Sequence, residues 1–154
     1  MKLHRPKAIP RPGQPRILVP FTGGDLDEAV LNASIRIARA EDAVLVPAYL
    51  LVVPLEFPED APIERQVECA MPFLEAVEHA ALKAGVPVDA RIEHGRTAVH
   101  ALKRLWEAED FDRIVVPAPV HGDSGFSAKD LTWMLTHAPS ETLILRPSPD
   151  ARAA

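Results

Sequence analysis

The sequence predicts a three-layer, doubly wound α/β domain, in which a five-stranded parallel sheet of order 3-2-1-4-5 carries helices on both faces. Three observations lead there. Short apolar runs at 17–19 and 112–118, and a longer one at 43–53 (AVLVPAYLLVV), have the character of parallel strands covered on both sides. Segments with helical apolar spacing alternate with these runs along the chain. Turn residues, mostly glycine and proline, punctuate nearly every transition. Strands alternating with helices imply parallel pairing through right-handed crossovers.

Residues 1–15 hold four prolines and four Lys/Arg, which forbids a helix and predicts an extended, basic arm. Ile17, Leu18 and Val19 then form the first strand, which Pro20 is expected to end because it has no N–H to donate. Gly23 and Gly24 permit a sharp turn, and Asp25 with Glu28 has the spacing of a capping box. Leu26, Val30, Ala33 and Ile37 stripe a helix over 26–40, with Arg36 and Arg39 in its last turn. Pro47 inside the second strand, 43–53, marks a bulge or an early edge. After a loop at 54–62, Ile63, Val67, Ala70, Leu74, Val77 and Ala81 define a helix that Pro72 should kink or divide. Gly85 is placed to end it, with Pro87 preventing resumption.

Residues 88–93 (VDARIE) alternate apolar and polar, as a half-exposed strand near a sheet edge would. Gly95 turns the chain, Thr97 caps, and Val99, Leu102, Leu105 and Trp106 stripe the third helix. Proline again closes the strand at 112–118. A loop at 119–125 leads to Ser127 and Asp130, a second capping spacing, and to Leu131, Met134 and Leu135 on a short fourth helix. Residues 142–145 form the last strand. The chain thus divides into an arm at 1–15, a domain at 16–147 and a tail at 148–154. Either the 3-2-1-4-5 order or its flavodoxin-like relative puts a crevice at the carboxyl ends of the first and fourth strands, where ligands sit in open α/β sheets.

Composition narrows the function classes. The 154 residues suit one domain. A formal charge of −5, from 17 basic and 22 acidic residues, argues against a general nucleic-acid binder. The single Cys69 cannot make an internal disulfide and fits a reducing, cytoplasmic setting. No apolar run reaches the ~18–20 residues needed for a membrane span, and no secretory h-region opens the chain.

Four pieces in order resemble the universal stress protein family: Ile17 to Gly24 (ILVPFTGG), Gly95, Asp112 to Val116 (DRIVV), and His137 to Pro147 (HAPSETLILRP). The resemblance covers about residues 16–147. It implies a ligand crevice involving Pro20, Phe21, Thr22, Gly23, Ala118, Gly122, Ser124, Gly125 and Ser127. Many members bind ATP through a loop written G-x-x-G followed, nine residues on, by G-S/T, whose backbone amides cradle phosphate. Here Gly122 and Gly125 supply the first pair, but the third glycine position falls on Leu135 and Thr136, and the loop is shorter. Asp123 adds negative charge where phosphate is expected. Thr22 stands where the family usually carries a nucleotide-contacting aspartate, and it lacks a carboxylate's capacity for two ribose hydroxyls. The expectation is therefore a non-enzymatic stress-response or regulatory protein that binds ATP or AMP weakly or not at all. The alternatives are a cytosolic regulatory domain of a membrane transporter and an ATP/AMP binder with a shortened loop.

The remaining candidates read as structural. Glu75 with His79, and His94, His100 and His121, form no metal-ligand motif. Cys69 is expected as a small buried residue. Ser124 and His121 lack a nucleophile elbow, and Trp106 and Trp133 are expected to pack. The apolar edge Thr142, Leu143, Ile144 and Leu145 calls for a partner, and family resemblance agrees on a homodimer. Another protein partner is open; nucleic acid and membrane insertion are not expected.

Overall fold

A computed structural model describes residues 9–22, 27–118, 125–146 and 148. Among these residues five strands and four helices alternate: β1 (Arg16–Phe21), α1 (Glu28–Ala40), β2 (Val44–Val52), α2 (Glu64–Lys83), β3 (Arg91–Gly95), α3 (Ala98–Ala108), β4 (Arg113–Pro117), α4 (Ala128–His137) and β5 (Glu141–Leu145). All strand pairs are parallel, and the order is β3-β2-β1-β4-β5, as the sequence predicts. No helix among the described residues is long and apolar enough to cross a membrane.

The period-two alternation of the strands sorts side chains into two cores. Leu18, Val46, Leu50, Ile114 and Val116 pack under Leu102, Leu105, Phe126 and Met134 on the α3/α4 face. On the other face, Ile17, Val19, Leu45 and Val115 meet Ile35, Ala38, Val77 and Ala81 of α1 and α2. Beside that second core, Phe21, Tyr49 and Leu51 lie against Ala70 and Leu74. Trp106 and Trp133 stack at 5.2 Å between α3 and α4, the packing role expected of them. His137 stacks in turn on Trp133 at 4.9 Å.

Helix starts follow local chemistry. Thr97 caps α3 by accepting from His100 N, and Ser127 with Asp130 forms a full capping box on α4. At α1 the cap is Asp27, which accepts from Ala29 N, so the helix begins two residues later than predicted. Asp25 lies outside the described residues. Pro72 neither divides α2 nor is buried in it: one helix runs through, the ring on the solvent face. Cys69 is exposed, contrary to expectation, because it lies a step of about 100° around the helix from the buried Ala70. The third strand is shifted to Arg91–Gly95, leaving Val88 as an isolated bridge to Leu45. Pro47 explains the gap. Leu45 exchanges its bonds with the β3 side (N to Pro87 O, O from Asp89 N), so Pro47, two residues on, turns its hydrogen-free nitrogen to the same side. β2 itself continues unbroken along β1. The arm's described end is tied down: Gln14 donates to Asp42 O at 2.9 Å, and Arg11 pairs with the Asp42 carboxylate.

An ionic cluster joins the amino ends of three strands. Arg16 reaches Asp89 and Glu109, each at 3.1 Å, while Arg91 reaches Asp89 at 3.1 Å and Glu109 at 2.7 Å. The Arg16 guanidinium also lies 4.8 Å from the Phe111 ring centre. Burial acts to raise the Asp89 carboxyl, but the hydrogen bonds and charges of Arg91 and Arg16 outweigh it, and the net direction is down. The stabilisation is then complete above the ordinary carboxylate value of about 4 and is lost as pH falls through the lower folded value. We expect Asp89→Asn to lower the urea midpoint at pH 7 and the two proteins to converge in strong acid. An equal gap at pH 7 and at pH 2.5 would sink this assignment.

Candidate functional site

The switch point of the sheet lies between β1 and β4, and two prolines keep its upper end from closing. Arg16 O accepts from Asp112 N on the β4 side, so Leu18 and Pro20, at steps of two, face that side as well. Ala118 N donates to Leu145 O at 2.9 Å, so Pro117, one residue before, faces β1. Both prolines therefore present a nitrogen without hydrogen to the same seam. The β1–β4 register ends at Leu18↔Ile114, whereas β1 pairs with β2 through Phe21. Pro20 stops the ladder as the sequence suggested, but on one side only. The result is an unlaced mouth at the carboxyl ends of two central strands, the place where such sheets hold ligands.

The nine residues singled out from the sequence distribute unevenly about this mouth. Pro20 is buried in β1, and Thr22 follows it half-buried. The Phe21 ring is buried on the α2 face, edge-on to Tyr49 at 5.1 Å, and serves the core. Burial, with a smaller contribution from Cys69, pushes the Tyr49 phenol up. Ala118 is half-buried just beyond β4. Gly125 is exposed with φ +83°, a left-handed conformation that glycine adopts without strain. Gly23, Gly122 and Ser124 lie outside the described residues, as does His121.

Ser127 is present but committed. Its hydroxyl accepts from Asp130 N at 3.1 Å, and Asp130 returns a carboxylate oxygen to Ser127 N at 3.1 Å. The amino end of α4, where a helix would attract an anion, is thus already furnished with a carboxylate. Among the described residues, no group of three or more His, Cys, Asp or Glu side chains could hold a metal.

A second feature at the same end of the sheet had no signal in the sequence. The 54–62 segment is strapped down by Arg96, which donates to Pro54 O at 2.8 Å and Phe57 O at 2.6 Å. Arg104 on α3 holds Glu59 at 2.9 Å and also donates to His94 O at 3.3 Å. Beneath the strap, Val53, Pro54, Phe57, Ala61, Pro62, Ile63 and Gln66 line a shallow cleft of about 70 Å³. That is room for a few atoms rather than a nucleotide.

No family model matches the sequence. No curated protein matches it either. Solved structures do. A universal stress protein family structure from Burkholderia pseudomallei superposes with TM-score 0.65 at 18% identity, over 90% of this chain and 100% of that one. A universal stress protein from Archaeoglobus fulgidus, in complex with dAMP, gives TM-score 0.64 at 12% identity, over 86% and 98% of the two chains. An Arabidopsis thaliana universal stress protein family protein with AMP bound gives 0.61 at 14%, over 89% and 94%. At these identities the likeness is one of fold, and it spans the whole domain.

Proposed function

We propose that this chain, which has the universal stress protein fold, works as a non-enzymatic regulatory protein that pairs with itself through β5 and binds adenine nucleotides weakly or not at all. The observation that carries this reading is the state of the α4 amino end. In a phosphate site, free backbone amides and a hydroxyl face the anion. Here Asp130 supplies the negative charge and Ser127 spends its hydroxyl on the cap. A phosphate entering there meets a carboxylate, whose like charge opposes it. The AMP and dAMP complexes of the fold's relatives make adenine nucleotides the right ligands to try. The absence of a carboxylate at Thr22 removes a second anchor.

Self-association is supported by β5 itself. Leu145 O turns inward to β4, so the backbone groups of Thr142 and Ile144 face outward along a sheet edge. Leu143 and Ile144 are each 37% exposed there. Two such edges related by a two-fold axis would pair as one continuous sheet.

Isothermal titration with ATP and with AMP, with and without magnesium, tests the ligand reading. We expect dissociation constants no tighter than about 0.1 mM, or about −5.5 kcal/mol. Micromolar affinity would overturn it and make the α4 amino end a working phosphate cradle.

A further inference from the structure

We propose that Arg104, held in place by Glu59, closes the β3 edge of the sheet to strand addition by a second copy of this chain. An open five-stranded sheet has two edges, and the two are furnished differently. β3 exchanges its ladder bonds with β2 through its odd-numbered residues, as the Val53 N to Gly95 O bond at 2.8 Å shows, so the N–H and C=O groups of Ile92 and His94 point outward. These are the groups a new strand would need. The guanidinium of Arg104 donates to His94 O at 3.3 Å and, through the same nitrogen, to Glu59 at 2.9 Å. An incoming strand must break that bond, displace a charge pair and push the 54–62 strap aside. Glu93 adds a charge to this short strand, one of the features that blunt sheet edges. At β5, by contrast, no side chain among the described residues bonds the outward backbone groups of Thr142 and Ile144.

The consequence is geometric. Pairing at one edge, edge to like edge, closes after two copies. Pairing at both edges has no closing step and gives an open row of sheets. Arg104 thus confines self-association to β5 and keeps it finite. The proposal rests in part on the β5 reading above, and the experiment separates the two.

Molar mass by light scattering, across a concentration series, is measured for the wild type, for Arg104→Met (which keeps the apolar stem and removes the donors) and for Arg104→Met combined with Leu143→Arg. Amide hydrogen exchange at Ile92 and His94 is read in parallel. We expect a wild-type dimer. Arg104→Met should at least double that mass as concentration rises, with both amides becoming slower to exchange. The double variant should stop at a dimer made through β3. A monomeric wild type would sink the β5 reading alone, and Arg104→Met should then still dimerise with the same two amides protected. The proposal itself is overturned if folded Arg104→Met keeps the wild-type mass at every concentration, or if it grows while Ile92 and His94 exchange unchanged. Should Arg104→Met not fold, Glu59→Gln, which loosens the same clasp from the strap, must show a smaller growth with the same protection. No growth there overturns the proposal equally.

Discussion

Gly95→Ala is expected to destabilise the protein by about 3 kcal/mol, the upper range for forcing atoms into a packed interior. The residue's torsion angles are not the cause. A Cβ on Gly95 would lie 2.8 Å from Ala101 N, 3.2 Å from Ala101 Cα and 3.2 Å from Thr97 O. All three are backbone atoms, so no side chain can swing away. Two of them, Ala101 N and Thr97 O, make the first hydrogen bond of α3 at 3.1 Å. The methyl group must therefore part the last residue of β3 from the first turn of α3, and the strain reaches Arg96 and the strap it fastens. For a domain of this size the thermal midpoint should fall by roughly 6–12 °C. A loss under 1 kcal/mol in urea titrations would mean that the strand and helix can separate freely, contrary to the tight packing described.

Phe126→Ala should cost about 3–5 kcal/mol, the range for emptying a buried aromatic site. Phe126 is 1% exposed and belongs to the α3/α4 core, against which Leu131 packs. It directly precedes the Ser127 cap, and Leu131 stands at the fourth helical position, the spacing of a hydrophobic staple around a capping box. The side chain thus does two things. It fills the core, and it fixes the angle at which the chain enters α4 beside the β1–β4 mouth. Phe126→Leu should recover most of the stability, since it restores volume at the staple position. Circular dichroism melts of the two variants check this, and equal losses for Ala and Leu would argue against a filling role.

Much of the architecture was legible because its causes are local. Alternating apolar runs and helical stripes reveal five strands and four helices, and parity along each strand sets which face each residue serves. Thr97 and the Ser127–Asp130 pair could be read as caps because a cap and its partner stand three residues apart. What escaped depends on residues distant in sequence. Nothing near Arg16 announces Asp89 or Glu109, 73 and 93 residues away, and nothing near Arg104 announces Glu59. Pro20 was read as the end of a strand, but its effect depends on which neighbour its nitrogen faces, a fact that exists only once the sheet is assembled. Cys69 was misplaced by one residue on a helix, enough to exchange core for solvent. At the candidate site, the cap was legible but its consequence was not: only the geometry shows that Asp130 stands where an anion would.

The paired prolines of the mouth also bear on the order in which the domain is made. β1 leaves the ribosome first, and its partner β4 follows some 95 residues later. β2 can pair with β1, and β3 with β2, in the meantime, and domains do fold from the amino end as they are synthesised. During that interval the other side of β1 is a bare central strand, apolar and buried-to-be, the sort of surface that captures wrong partners. Pro20 weakens it, since a passing strand finds both a donor and an acceptor on that side at Arg16 and Leu18 but no donor at Pro20. The residue that later holds the mouth open thus earlier limits what can attach to an unfinished sheet.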